Sequence, residues 1–297
     1  MAASTTSRLL EPDFLRKLER LALISKRARL GMAKGERKSK RKGSSVEFAD
    51  YRDYVQGDDL RHVDWNIVGR LDAFYLKLFE EQEDLTLHLL IDASASMGFG
   101  TPAKLEFACR MAAALGYIAL VGYDRLSAEM FCGDRVFRLP ACRGRGNARK
   151  LFAFLEGIDA DGPTRLEESC RSYLVRNRAK GVAVLLSDFL DPAGFEDCLR
   201  RLCMSGSDLY VIHVLARDEV DPQISGDLRL IDSETQAFTE ISISRALLRR
   251  YQQNLEGFRS TLRRECLARD IGYVPAVSDM AFERITLDLL RRQGMVG

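Results

Sequence analysis

The chain has 297 residues, 46% of them apolar and 30% charged, with 45 basic and 43 acidic side chains. This is the composition of a globular protein with room for one large α/β domain and an extension, and it excludes collagenous and low-complexity chains. No apolar run approaches the roughly 20 residues of a membrane helix, and MAASTTSRLLEPDF at the start lacks a signal-peptide core, so a cytoplasmic protein without a membrane span is expected.

In chain order, Phe14, Leu15, Leu18, Leu21, Leu23, Ile24 and Leu30 recur among charged residues, predicting an amphipathic helix over 12–30 with Pro12 in its first turn. Residues 31–43 (GMAKGERKSKRKG) have no apolar period and read as a basic linker. Charge is segregated here: residues 1–45 carry 13 basic and 4 acidic groups, residues 46–84 carry 4 and 11, and the remainder balances. Within 46–84, Asp58, Asp59, Arg61, Asp64 and Arg70 gather around the single tryptophan, Trp65, as in a carboxylate–arginine network, and 72–79 is a candidate strand for a sheet edge.

From residue 85 the pattern alternates. A buried-type strand, LTLHLLI, runs into Asp92-Ala-Ser94-Ala-Ser96. Helices are predicted over 104–121, 147–155, 166–176, 195–204, 245–267 and 281–293, and strands over 126–131, 134–139, 182–186, 208–215, 228–232 and 237–242. Strands alternating with helices predict an α/β fold, a doubly wound, mainly parallel sheet flanked by helices, preceded by an N-terminal helical and extended arm. The domains expected are 1–45 (helix and basic linker), 46–84 (a segment packing on the next domain) and 85–297. His88 and His213 fall within strand patterns and read as core histidines. Seven scattered cysteines, none spaced C-x-x-C, read as reduced structural thiols.

Ligands of open α/β sheets bind at the carboxyl ends of the strands, where Asp92, Ser94 and Ser96 offer one carboxylate and two hydroxyls at alternate positions. Hard oxygen donors suit a Mg²⁺-type ion that keeps water or a partner's ligand in its other positions; a Ser/Asp-rich turn capping the next helix fits the same five residues. Two distant segments bear on the choice. Thr164 lies in a loop opening a helix, and the strand 182–186 ends in Ser187-Asp188.

Strand-DxSxS, loop threonine and strand-Asp, in this order, resemble the von Willebrand factor A domain and its metal-ion-dependent adhesion site (MIDAS). The resemblance implies Asp92, Ser94, Ser96, Thr164 and Asp188 as direct or water-bridged ligands of Mg²⁺, or of another divalent cation such as Mn²⁺ or Ca²⁺. A narrower likeness is carried by Glu47-Phe48, Arg52-x-Tyr54, Gly57-Asp58-Asp59, Arg61, Asp64-Trp65, Arg70, Lys77 and Glu81, leading directly into DASASM. This run is similar to the signature of the domain of unknown function 58 family. It implies association with MoxR-type AAA+ ATPases and other von Willebrand factor A proteins, as partner or adaptor in chaperone-like assembly or maturation of other proteins. Many members carry two membrane helices and a further domain ahead of the signature; neither is seen ahead of it here, so a membrane-tethered role is not expected.

The function expected is therefore a Mg²⁺-dependent protein-interaction module whose ion takes a carboxylate from the partner. A related expectation is that Asp58, Asp59 or Asp64 caps the ion in cis, against an internal salt-bridge network. The alternatives are a metal-dependent hydrolase or phosphotransferase, and nucleic-acid binding through the basic arm. Phosphatase chemistry of the haloacid dehalogenase type needs a second carboxylate two residues after the first, where Ser94 stands, and no phosphate loop, nucleophile elbow or H-E-x-x-H occurs, so no enzyme activity is expected. The basic arm lacks interleaved aromatics for base stacking, which argues against nucleic acid.

Overall fold

A computed structural model describes residues 9–23, 46–55, 63–71, 74–81, 85–177 and 180–283. The chain divides into two compact units, Arg27–Asp84 and the remainder. Helix α1 (Pro12–Leu18) opens the larger unit. It ends well short of the predicted 30: the chain turns at Glu19-Arg20, and a turn rather than continued helix carries Leu21 into the core. Residues 24–45, with the basic linker, lie outside the described residues.

In the smaller unit, β1 (Val46–Asp53) pairs antiparallel with β2 (Tyr75–Glu81), and α2 (Trp65–Leu71) lies between them in sequence. The expectation for 72–79 is corrected: the strand exists, but it forms a two-stranded sheet with β1 and is no edge of the large sheet. Asp64 starts α2, its carbonyl accepting from Val68 N at 3.2 Å, and its own N–H donates to the Tyr75 carbonyl at 3.0 Å. Asp58, Asp59 and Arg61 lie outside the described residues, as do the side chains of Arg52 and Arg70.

The larger unit is built on six strands: β3 (Thr86–Asp92), β4 (Arg125–Cys132), β5 (Arg135–Arg143), β6 (Val182–Ser187), β7 (Asp208–Leu215) and, after the hairpin β8 (Gly226–Ile231) and β9 (Phe238–Ile243), β10 (Gly272–Val277). Their order is β10-β7-β6-β3-β4-β5. All neighbours are parallel except β4 and β5, which form the hairpin expected at Gly133-Asp134. Sequence order reverses between β3 and β6, so the switch point of this doubly wound sheet lies where Asp92 and Asp188 end their strands.

Side chains of the central strands alternate between two apolar cores. Leu89 and Ile91 face a cluster with α3 (Lys104–Val121), α4 (Ala148–Glu156) and α1. Leu90 faces the other, with α5 (Leu166–Arg176), α6 (Glu196–Met204) and, beyond the short α7 (Arg217–Val220), the long α8 (Arg245–Ala268). From Met111 to Leu120 helix α3 is apolar on every side and buried, the mark of a covered helix. The sheet covers one side, and α1 and α4 cover the others, Phe14, Leu15 and Leu18 of α1 being buried in the same cluster. Gly116 permits the fit, since a Cβ there would lie 2.5 Å from a Leu151 methyl carbon. At the other end of the sheet, a Cβ on Gly181 would lie 2.0 Å from the Thr86 carbonyl oxygen.

Strand β10 escapes sequence reading because Pro275 interrupts it. A proline lacks the N–H of a central strand. Here β10 is the sheet's edge, bonded to β7 alone, so the missing donor is tolerated. One cysteine expectation is also corrected: Cys170 and Cys198 pair as a disulfide across α5 and α6, Cα–Cα 5.9 Å, and the other five form no disulfide. Of the predicted final helix, residues 284–293 lie outside the described residues. No helix among the described residues is long and apolar enough to cross a membrane.

Candidate metal centre

Asp92 is the last residue of β3, and its carboxylate is buried. Its Oδ1 accepts from the Ser94 amide at 2.9 Å and its Oδ2 from the Ser187 hydroxyl at 2.6 Å. These bonds fold the chain back over the strand end and aim Ser94 and Ser96 inward, where their hydroxyl oxygens lie 3.2 Å apart. Ser96 in turn donates to Asp188 Oδ2 at 2.8 Å. Asp188 is itself fully buried, just beyond β6. Its following residue, Phe189, adopts φ 60°, a left-handed conformation that costs a bulky residue on the order of 1–3 kcal/mol. Burial of the Phe189 ring against Phe195 and His213 holds it there, and the turn lets Leu190 N donate to Asp188 Oδ1 at 3.1 Å. Strain thus accumulates where the ligand geometry is set.

The threonine loop is stitched to the same strand end. Ala95 N donates to the Gly162 carbonyl at 2.8 Å and Asp161 N to the Ala93 carbonyl at 3.0 Å. Leu166 N donates to Asp191 Oδ2 at 2.8 Å, tying the loop to the segment after β6. Thr164 is buried there, and its hydroxyl donates to Glu234 Oε1 at 2.5 Å. Asp92, Ser94, Ser96 and Asp188 therefore form one hydrogen-bonded chain, with Thr164 held on the adjoining loop.

Two further residues complete the electrostatics. Lys104, the first residue of α3, is fully buried, and its Nζ lies 2.6 Å from Asp188 Oδ2 and 2.6 Å from Glu219 Oε1. Burial works against its charge, but Asp188 and Glu219 outweigh it and raise the pKa above the ordinary lysine value. Glu219 is fixed by its other oxygen, which accepts from Ala216 N at 2.7 Å. Asp92 is pushed up to about 6, first by burial and then by repulsion from Asp188.

These features fit a divalent cation. Two carboxylates in the interior need positive charge. Among the described residues, Asp92, Asp188 and Glu219 set three carboxylates against the ammonium of Lys104, and a dication balances them. Adjacent ligands of an octahedral Mg²⁺ at about 2.1 Å stand about 3 Å apart, and the Ser94–Ser96 and Ser96–Asp188 oxygen separations of 3.2 and 2.8 Å bracket that spacing. Among the described residues, no group of three or more His, Cys, Asp or Glu side chains is placed to hold a metal, so softer, histidine- or thiolate-rich sites have no rival cluster. A separate surface cavity of about 310 Å³, lined by residues including Arg259, Arg263 and Tyr273, contains none of the site residues.

His88 and His213 are core histidines, as expected from their strand positions. His88 Nδ1 lies 2.9 Å from Ser127 Oγ, and His213 Nδ1 lies 2.9 Å from the Tyr273 hydroxyl. Burial pushes the His213 imidazole down to about 4 from 6.5, with Asp188 pulling the other way. Between those values the unfolded chain takes up a proton that the folded chain refuses, so stability present above pH 6.5 is lost as pH falls towards 4. The loss expected is about 3 kcal/mol. Urea unfolding of wild type and His213→Gln between pH 7 and 4 measures it as the difference between the two slopes; equal slopes would rule it out.

Lys104 and Glu219 are absent from the sequence-derived ligand set. For Lys104 a signal existed: a lysine opening a helix sits at the positive end of the helix dipole, an unfavourable place that calls for a carboxylate partner. The cis cap foreseen from Asp58, Asp59 or Asp64 involves two residues outside the described ones and a third, Asp64, in the smaller unit.

A buried acidic and hydroxyl-lined switch point on a six-stranded, mostly parallel sheet defines the doubly wound α/β class that the von Willebrand factor A resemblance implies. The family model described as "Protein of unknown function DUF58" matches residues 50–260, and the chain belongs to that family. It is 28% identical over 246 residues to the uncharacterized protein Rv1480 of Mycobacterium tuberculosis, covering 80% of this chain and 76% of the relative. An uncharacterized protein of Mycobacterium bovis matches with the same figures. Among solved structures, the chain is similar to the conserved hypothetical protein BatB of Bacteroides thetaiotaomicron, with 16% identity, 70% of this chain and 98% of that chain covered, and a TM-score of 0.46. It is also similar to the SpRpn10 VWA domain, with 9% identity, 71% and 95% covered, and a TM-score of 0.41. Both scores lie below 0.5, and the architecture stands on the sheet order itself.

Proposed function

We propose that this chain is a protein-interaction module that binds through a divalent cation, Mg²⁺ in the first instance, with Asp92, Ser94, Ser96, Thr164 and Asp188 as direct or water-bridged ligands. The observation that supports this reading best is the buried Asp92–Asp188 pair, joined through Ser94 and Ser96, with the ammonium of Lys104 bonded to Asp188. The ion supplies an electrophilic position that accepts a carboxylate oxygen from a partner. The protein's own part is to hold the oxygens at coordinating distance and to exclude water from Asp92 and Asp188. Mn²⁺ or Ca²⁺ would meet the same hard oxygens.

The partner class implied by the family resemblance is a MoxR-type AAA+ ATPase, with other von Willebrand factor A proteins beside it. Turnover forms no part of the reading: two residues after Asp92, where phosphatase chemistry of the haloacid dehalogenase type needs a second carboxylate, stands Ser94, whose hydroxyl is engaged with Ser96. Capture of the purified MoxR-type ATPase of the same cell on immobilised protein tests the reading. Binding in Mg²⁺, its loss in EDTA and its loss in Asp92→Ala are expected. Capture that is indifferent to EDTA and to the substitution would refute it.

A further inference from the structure

The hairpin β8–β9 stands outside the six-stranded sheet, yet its turn reaches the candidate metal centre. Asp232 Oδ1 accepts from Glu234 N at 2.9 Å and from Thr235 N at 2.7 Å, and Asp232 N donates to the Ala237 carbonyl at 2.8 Å. This turn thrusts Glu234 out from the ribbon, and its Oε1 accepts the Thr164 hydroxyl at 2.5 Å. Between Arg229 and Glu240 every residue is exposed except Glu234, which is half-buried. A carboxylate has thus been carried 70 residues along the chain to one of the five candidate ligand residues.

Resting on the metal-dependent reading above, we propose that Glu234 is a resident ligand of the site: the hairpin tip supplies in cis the carboxylate that a partner would otherwise bring, and a partner must displace it. The chemistry of Glu234 matches that position. It is a hard, anionic oxygen donor, it lies at the rim where the buried ligands end, and it already shares a hydrogen-bonded edge with Thr164. The mounting suits a removable cap. A two-stranded ribbon has little stability of its own, and this one leaves Leu230, Ile231 and Phe238 46%, 60% and 57% exposed, so it gains little from packing on the domain. Segments of low local stability are the ones that open at small cost.

The test uses full-length protein with Mn²⁺ as the probe ion. Calorimetry gives its affinity, and water-proton relaxation counts the exchangeable waters on it. Glu234→Ala is expected to weaken Mn²⁺ binding roughly 10- to 100-fold and to add one exchangeable water, with the metal-free melting curve lowered by no more than the loss of one hydrogen bond to Thr164 accounts for. A peptide of sequence LIDSETQAF, copied from the tip, should then bind Mn²⁺-loaded Glu234→Ala and fail to bind the wild type. Equal Mn²⁺ affinity and equal water count in the two proteins would overturn the cis ligand while leaving the metal site intact. Failure of both proteins to bind Mn²⁺ would overturn the metal reading itself and the cis ligand with it.

Discussion

Lys104→Met is expected to destabilise the protein by about 3–5 kcal/mol, the range for breaking a buried ion pair by removing one partner. Methionine matches the length and apolar stem of lysine, so the packing around the start of α3 is largely kept. What goes is the ammonium between Asp188 and Glu219, where side-chain exposure is 0% for lysine and Asp188 and 15% for Glu219. Two carboxylates then face each other in the interior with Asp92 close by, and each loses its strongest partner. Adding Glu219→Gln to Lys104→Met should recover part of the loss, since one of the stranded charges is gone. Urea unfolding of the three proteins at neutral pH provides the comparison. A loss below about 1 kcal/mol for the single variant would mean that Lys104 is no structural counter-ion of Asp188.

The second large effect concerns Asp92, and it runs in opposite directions with and without a cation. In the metal-free protein at pH 7, the ionised carboxylate is buried against its preference, as the rise to about 6 records. A pKa raised in the fold means that stability contributed by the proton is present below the ordinary value of 3.8 and is lost as pH climbs through about 6. Asp92→Asn removes that penalty while keeping an acceptor for Ser94 N, and its amide N–H reverses the bond to Ser187, whose Oγ then accepts, so the metal-free variant should equal or exceed the wild type in stability at pH 7. In Mg²⁺ the order reverses. An ion at 100 times its dissociation constant adds about 2.7 kcal/mol to a protein that binds it only when folded. The wild type should gain a stabilisation of that kind, and Asp92→Asn should gain none. Thermal unfolding of both proteins in Mg²⁺ and in EDTA reads all four states.

How far the sequence disclosed this site follows from the range of each interaction. Strands β3 and β6 are unbroken apolar runs bracketed by polar turns, and α3 is a long apolar segment between Pro102 and Gly122; local composition alone marks them. Helix 104–121 and strand 208–215 accordingly have the same bounds in the fold as in the sequence reading. Residues at the ends of such strands inherit their placement, so Asp92, Ser94, Ser96 and Asp188 come together as expected from the motif. Lys104 and Glu219 were not legible as a pair, because they lie 115 residues apart and meet only when α3 and α7 converge on β6. Glu234 reads in sequence as part of an ordinary turn, and nothing local says where that turn points. Strand β10 was hidden by a proline that only an edge strand accepts. In each case the local signal is neutral or adverse, and tertiary contact decides.

Titration of Mg²⁺ into wild type and Asp92→Asn, followed by calorimetry at pH 7, bears most directly on the central claim. One ion per chain in the wild type and no saturable heat in the variant is the expected result. Binding of equal strength in both proteins, or none in the wild type, would contradict a cation site at the ends of β3 and β6.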